Sequence, residues 1–130
     1  MALVLSEIFG ESLPGGSSFQ KLITTGSVNL SSNFTLSYNR SYGVDVSGGS
    51  ITIDVPVTAP DVYDKIVVYD ATGSMSTTNY VTLDLTNSGQ RLFPSGVNEF
   101  IITIDKKHAH VELTYVGVGG GWSLSYSNKT

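Results

Sequence analysis

Three groups of residues carry side chains able to do chemistry. Asp70, Thr72 and Ser74 set a carboxylate and two hydroxyls at alternate positions after the apolar run 66–69, hard oxygen donors suited to Mg or Ca. His108, His110 and Glu112 recur with a period of two, which in a strand puts them on one face, where two imidazoles can chelate a metal. Tyr38, Tyr42, Tyr63, Tyr69, Tyr80 and Trp122 have the flat faces that stack on sugars, although β cores and subunit contacts use the same residue types. Each metal candidate also has a plain reading. His108 and His110 suit a solvent-facing strand, and Asp70 suits a turn in which it bonds its own backbone while Gly73 takes positive φ. The expectation is therefore no metal and no cofactor, with His108, His110 and Asp70 as the positions to inspect. Catalysis has less support. There is no Cys, no Gly-x-Ser-x-Gly elbow marks a serine nucleophile, and Asp45, Asp54, Asp61, Asp64, Asp84, Glu99 and Asp105 are scattered along the chain. Such carboxylates pair only in space, and the expectation is a protein that is not an enzyme, with no catalytic residues.

The elements that must position these groups read as strands. Residues 65–69 are a buried strand, 70–73 a tight turn and 80–85 an alternating strand, together a hairpin. Alternation over 19–38 fits two strands joined near 31–33. Further strands are expected at 42–46, 51–57, 100–105 and 109–115. Pro56 and Pro60 cannot donate to a ladder, so the strand at 51–57 lies at an edge or ends there. Trp122, Leu124 and Tyr126 make the last strand, with the Trp pinning the core. No helical period competes, which predicts an all-β fold, an antiparallel β-sandwich or jelly-roll-like barrel spanning 25–130. Residues 1–24 join apolar Leu3, Leu5, Ile8 and Phe9 to the breaker cluster 14–18. They are expected to be an N-terminal docking arm or an extra strand, with those four residues at an interface.

Composition narrows the function classes. A chain of 130 residues is the size of one domain, and its charged fraction of 14% leaves a surface built from Ser, Thr, Asn and Gly. Low charge reduces the desolvation cost of packing against other protein. The net charge of −4 opposes nucleic-acid binding, and only Lys106 and Lys107 sit together among the basic residues. No apolar run approaches the roughly 20 residues of a spanning helix, so no membrane contact is expected. The N-terminus lacks a basic segment and carries Glu7 early, which predicts synthesis in the cytoplasm without a secretory signal.

Two local resemblances and one broader one follow from these residues. Residues 66–75 (IVVYDATGSM) resemble the first strand and metal-ion-dependent adhesion loop of von Willebrand factor A domains, in which Asp70, Thr72 and Ser74 would hold a cation. In that family the loop leads into a helix, whereas 76–85 is polar and then alternates. The His108-x-His110 spacing is similar to the iron-holding pattern of phage membrane-piercing spikes, provided three chains met there. Over two-thirds of the chain the pattern resembles a β module of tailed-phage virion proteins. Its parts are ITIDVPV (51–57), DKIVVYDATGS (64–74), TTNYVTLDL (77–85), NSGQRL (87–92) and VELTYVGVGGGWSLSY (111–126). This resemblance implies a non-enzymatic bacteriophage structural protein located in the virion: a capsid decoration, head-fibre, or tail or collar component. Its partners would be other virion proteins of capsid or tail and copies of itself, a trimer being favoured. The alternative is a carbohydrate-binding, receptor-recognising β-domain of a phage fibre, with a host glycan as ligand.

Overall fold

The computed structural model describes residues 22–93, 100–117, 119 and 121–128, with Phe93 by its backbone alone. Ten strands account for almost all regular structure: β1 Thr24–Thr25, β2 Phe34–Thr35, β3 Arg40–Val44, β4 Ile51–Asp54, β5 Lys65–Asp70, β6 Val81–Asp84, β7 Leu92–Phe93, β8 Ile101–Ile104, β9 Ala109–Tyr115 and β10 Trp122–Asn128. A single 3-10 turn at Thr86–Ser88 is the helical content among the described residues. The fold is all-β, as the alternation and turn signals predict.

The strands divide into a larger sheet, ordered β1-β3-β5-β9-β10-β7, and a smaller one, β2-β4-β6-β8. From β1 to β6 the chain changes sheet at every strand. Each new strand pairs in parallel with the one made two elements earlier, β1 with β3 and β3 with β5, and likewise β2 with β4 and β4 with β6. Parallel neighbours need a long crossover, and here the crossover of each sheet runs through a strand of the other. The direction then reverses. β8 lies antiparallel to β6, β9 antiparallel to β5, and β10 forms a hairpin with β9.

This arrangement corrects the expected topology in three respects. The sheets are mixed rather than antiparallel, and they do not close into a barrel. Residues 65–69 and 80–85 are not a hairpin either, since β5 and β6 lie in different sheets. The physical reason is that a half-buried strand shows the same period-two pattern whichever direction its neighbour runs. β4 ends at Asp54, short of Pro56, and is interior to its sheet rather than at an edge. Thr24–Thr25 forms an edge strand of the larger sheet. The docking-arm residues Leu3, Leu5, Ile8 and Phe9 lie outside the described residues.

One apolar cluster draws its side chains from both sheets, among them Tyr42, Val44, Ile66, Val68, Val111 and Leu113 from the larger and Ile51, Ile53, Val81 and Leu83 from the smaller. Trp122 is completely buried and packs between Tyr38 and Tyr115, with ring centroids 5.7 and 5.4 Å away. Its indole Nε1 donates to Ser88 Oγ at 3.3 Å, so the polar tip of the largest core side chain is satisfied. Leu124 and Tyr126 stand on the same face of β10, opposite Leu113 and Val111, yet are 42% and 47% exposed. Beside them lies an apolar groove of about 240 Å³ lined by Ile102, Val111, Leu124 and Tyr126.

Candidate functional site

Asp70, Thr72, Ser74 and His108 converge at one end of β5. Asp70 closes that strand, and its buried carboxylate accepts four backbone N–H groups. Oδ1 takes those of Ser74 at 3.0 Å and Thr72 at 3.3 Å, and Oδ2 takes those of His108 at 2.9 Å and Met75 at 3.2 Å. Burial pushes the Asp70 carboxyl upward, but the amides of His108, Met75, Ser74 and Thr72 together outweigh it and hold the group below the usual carboxylate range. Gly73, at φ 69°, gives the loop the left-handed turn it needs to wrap the carboxylate.

Thr72 and Ser74 turn the other way, toward Asp45. Their hydroxyls are 2.7 Å apart, and Thr72 Oγ1 donates to Asp45 Oδ1 at 3.2 Å, while Ser74 Oγ accepts from the Val46 amide at 2.9 Å. The side-chain and backbone bonds from Ser47, with those from Thr72 and Ser74, lower the Asp45 carboxyl against a small opposing effect of desolvation. The three oxygens that an adhesion loop would bring to one cation therefore serve two separate purposes. The chain also continues into strand β6 at Val81–Asp84 rather than into a helix. Among the described residues no group of three or more His, Cys, Asp or Glu side chains is placed to hold a metal ion.

His108 does not share a strand face with His110. It sits in the turn before β9 with φ 62°, its ring against Gly73, and its backbone N–H is one of the four that hold Asp70. His110 and Glu112 do point outward from β9. Register places them in two rows across the outer face of the larger sheet. Gly43, Tyr69, His110 and Ser127 form one row, and Ser41, Val67, Glu112 and Ser125 the next. These rows floor an open groove of about 680 Å³ that also reaches Asp70, His108 and Ile23.

Within the groove the Tyr69 ring lies down across β3. Its Cζ, Cε2 and hydroxyl oxygen all stand within 2.9 Å of where a Cβ at residue 43 would be, so only glycine fits beneath it. His110 meets Tyr69 edge-on, with ring planes at 89° and centroids 6.1 Å apart. Two rows away Lys65, almost fully buried although it points outward, donates from Nζ to Glu112 Oε2 at 2.9 Å and to Thr114 Oγ1 at 2.8 Å. The charge of Glu112 is thus balanced inside the groove, and that of Asp70 by oriented amides.

Of the other aromatic candidates, Tyr42 and Trp122 are buried, Tyr38 donates its hydroxyl to the Thr58 carbonyl at 2.9 Å, and Tyr63 and Tyr80 are half-buried away from the groove lining. Sequence reasoning missed Gly43, Asp45 and Lys65. A signal existed for the first, since a glycine inside a strand pattern marks a close approach. Comparison with known proteins finds no family model that matches the chain and no curated protein that matches it.

Proposed function

We propose that this chain is a non-enzymatic structural component of a bacteriophage particle, a capsid decoration, head-fibre, or tail or collar protein located in the virion. It attaches to neighbouring virion proteins and to copies of itself, a trimer being favoured, by packing β surfaces. In this reading the two sheets face one another as a sandwich, and the flank where the larger overhangs the smaller is left for a partner. The observation that carries it is that flank. Leu124 and Tyr126 are on the core-facing side of β10 but half exposed, and beside them β8, at Ile101–Ile104, has a neighbour on one side only among the described residues. A free edge next to uncovered apolar side chains invites strand addition. The apolar residues Leu3, Leu5, Ile8 and Phe9 of the N-terminal segment are the chain's own candidates for reaching such a surface. The resemblance of 51–126 to virion β modules supports the same reading.

Sedimentation of the full chain tests it. The expected result is a species larger than the 13.8 kDa monomer, reduced to monomer by Leu124→Asp or by the quadruple Ser substitution of Leu3, Leu5, Ile8 and Phe9. A wild-type chain that stays monomeric to concentrations on the order of 100 µM, where even a weak specific contact of this kind would be populated, overturns the proposal.

A further inference from the structure

The outer face of the larger sheet carries a second, independent surface, remote in character from the apolar flank. We infer that the groove over Tyr69 is a binding site for an uncharged glycan, with a pyranose ring stacked on the tyrosine.

Gly43 makes the platform possible. By omitting a side chain, this position lets the Tyr69 ring lie with one face on the backbone of β3, which turns its other face to the groove. A tyrosine fixed in this way loses little freedom when a ligand covers it, and its exposed π face suits the row of C–H bonds on one side of a pyranose. His110 stands perpendicular at the ring's edge and limits the ligand on that side. Around this platform the groove offers hydroxyls and a carboxylate, from Ser41, Ser127 and Glu112. The serine hydroxyls can both donate to and accept from sugar hydroxyls, and the carboxylate can accept.

Electrostatics select an uncharged ligand. A phosphate, a sulfate or a sialic acid finds Lys65 already committed to Glu112 and Thr114. A cationic ligand gains little, because the charge of Asp70 is spent on four amides and that of Glu112 on Lys65. What remains is a flat apolar platform with a polar, nearly neutral rim, the combination found where a ligand is apolar on one face and hydroxylated at its edge.

Proton NMR on the full chain tests the site, with maltohexaose, cellohexaose and chitohexaose as neutral probes and a heparin hexasaccharide as the anionic one. At least one neutral hexasaccharide is expected to shift the ring protons of Tyr69 and His110, with a Kd on the order of millimolar. Tyr69→Phe, which keeps the ring, should bind within about threefold of wild type, and Tyr69→Leu should lose about tenfold or more. Gly43→Ala, which lifts the ring, should weaken binding comparably to Tyr69→Leu. The near-ultraviolet signal of buried Trp122 reports that each variant is folded. Absence of shifts with all three neutral probes, equal binding by Tyr69→Leu, or preference for heparin would overturn the assignment. Sedimentation in the same buffer keeps this outcome separate from that of assembly.

Discussion

Asp70 ties together two stretches of chain that are far apart in sequence, the exit of β5 and the turn that starts β9. Its replacement by Asn preserves shape but sets an amide N–H₂ against backbone donors, stranding buried N–H groups. Loss of about 3 kcal/mol is expected, measured by urea denaturation at pH 7. The sign of its pH dependence follows from the depressed folded pKa. The stabilisation is fully present above the unfolded carboxylate value and is lost as pH falls through the lower folded one. The gap between wild type and Asp70→Asn should therefore narrow as pH falls through that lowered folded value. Tyr38 behaves in the opposite sense. Burial, with the nearby charge of Asp64, pushes its phenol up to about 12. The folded state then holds a proton that the unfolded chain releases above its ordinary value of 10, and stability falls as pH rises between the two. Tyr38→Phe should flatten that alkaline loss, read by thermal melts at pH 9 and 11.

At the level of single elements, β10 shows how far period-two alternation can be trusted. Trp122, Leu124 and Tyr126 share one face, and the pattern predicts that all three are core. Only Trp122 is, since Leu124 and Tyr126 are half exposed. Trp122→Ala should cost about 4 kcal/mol and Leu124→Ala less than about 1, both measured by urea denaturation. Burial depends on what the rest of the chain packs against a strand, and alternation within one strand carries no information about that. The same reasoning separates what was legible from what was not. Strand positions at 65–69 and 109–115, the buried Trp122 and the backbone-bonding role of Asp70 with Gly73 were readable, since each rests on local chemistry. The parallel pairing, the turn position of His108 and the meeting of Thr72 with Asp45 were not, because each depends on a partner distant in the chain.

In the molecule as a whole, protection should be graded by position in the sheets. β3, β5 and β9 are flanked on both sides, whereas the two-residue β1 and β7 close the edges of the larger sheet. Native-state hydrogen exchange should find the amides of Val67, Val68 and Val111 opening only with global unfolding, and those of β1 and β2 opening at a small fraction of that free energy. Uniform protection across the sheets would contradict this picture of the architecture. Pairings that span long stretches of chain also predict folding in the slow, millisecond-to-second range typical of non-local β proteins.

The reversal after β6 has a consequence for synthesis. Winding from β1 to β6 can proceed turn upon turn as the chain leaves the ribosome, each new strand finding a completed neighbour. That process contains no stop of its own, because β5 and β6 always present fresh edges to whatever arrives next. Residues 101–128 act as an end cap, arriving in the opposite direction and occupying both growing edges at once. A nascent or proteolysed chain ending before Ile101 would retain the template without its terminator. Its expected fate is to polymerise, stacking copy on copy without limit.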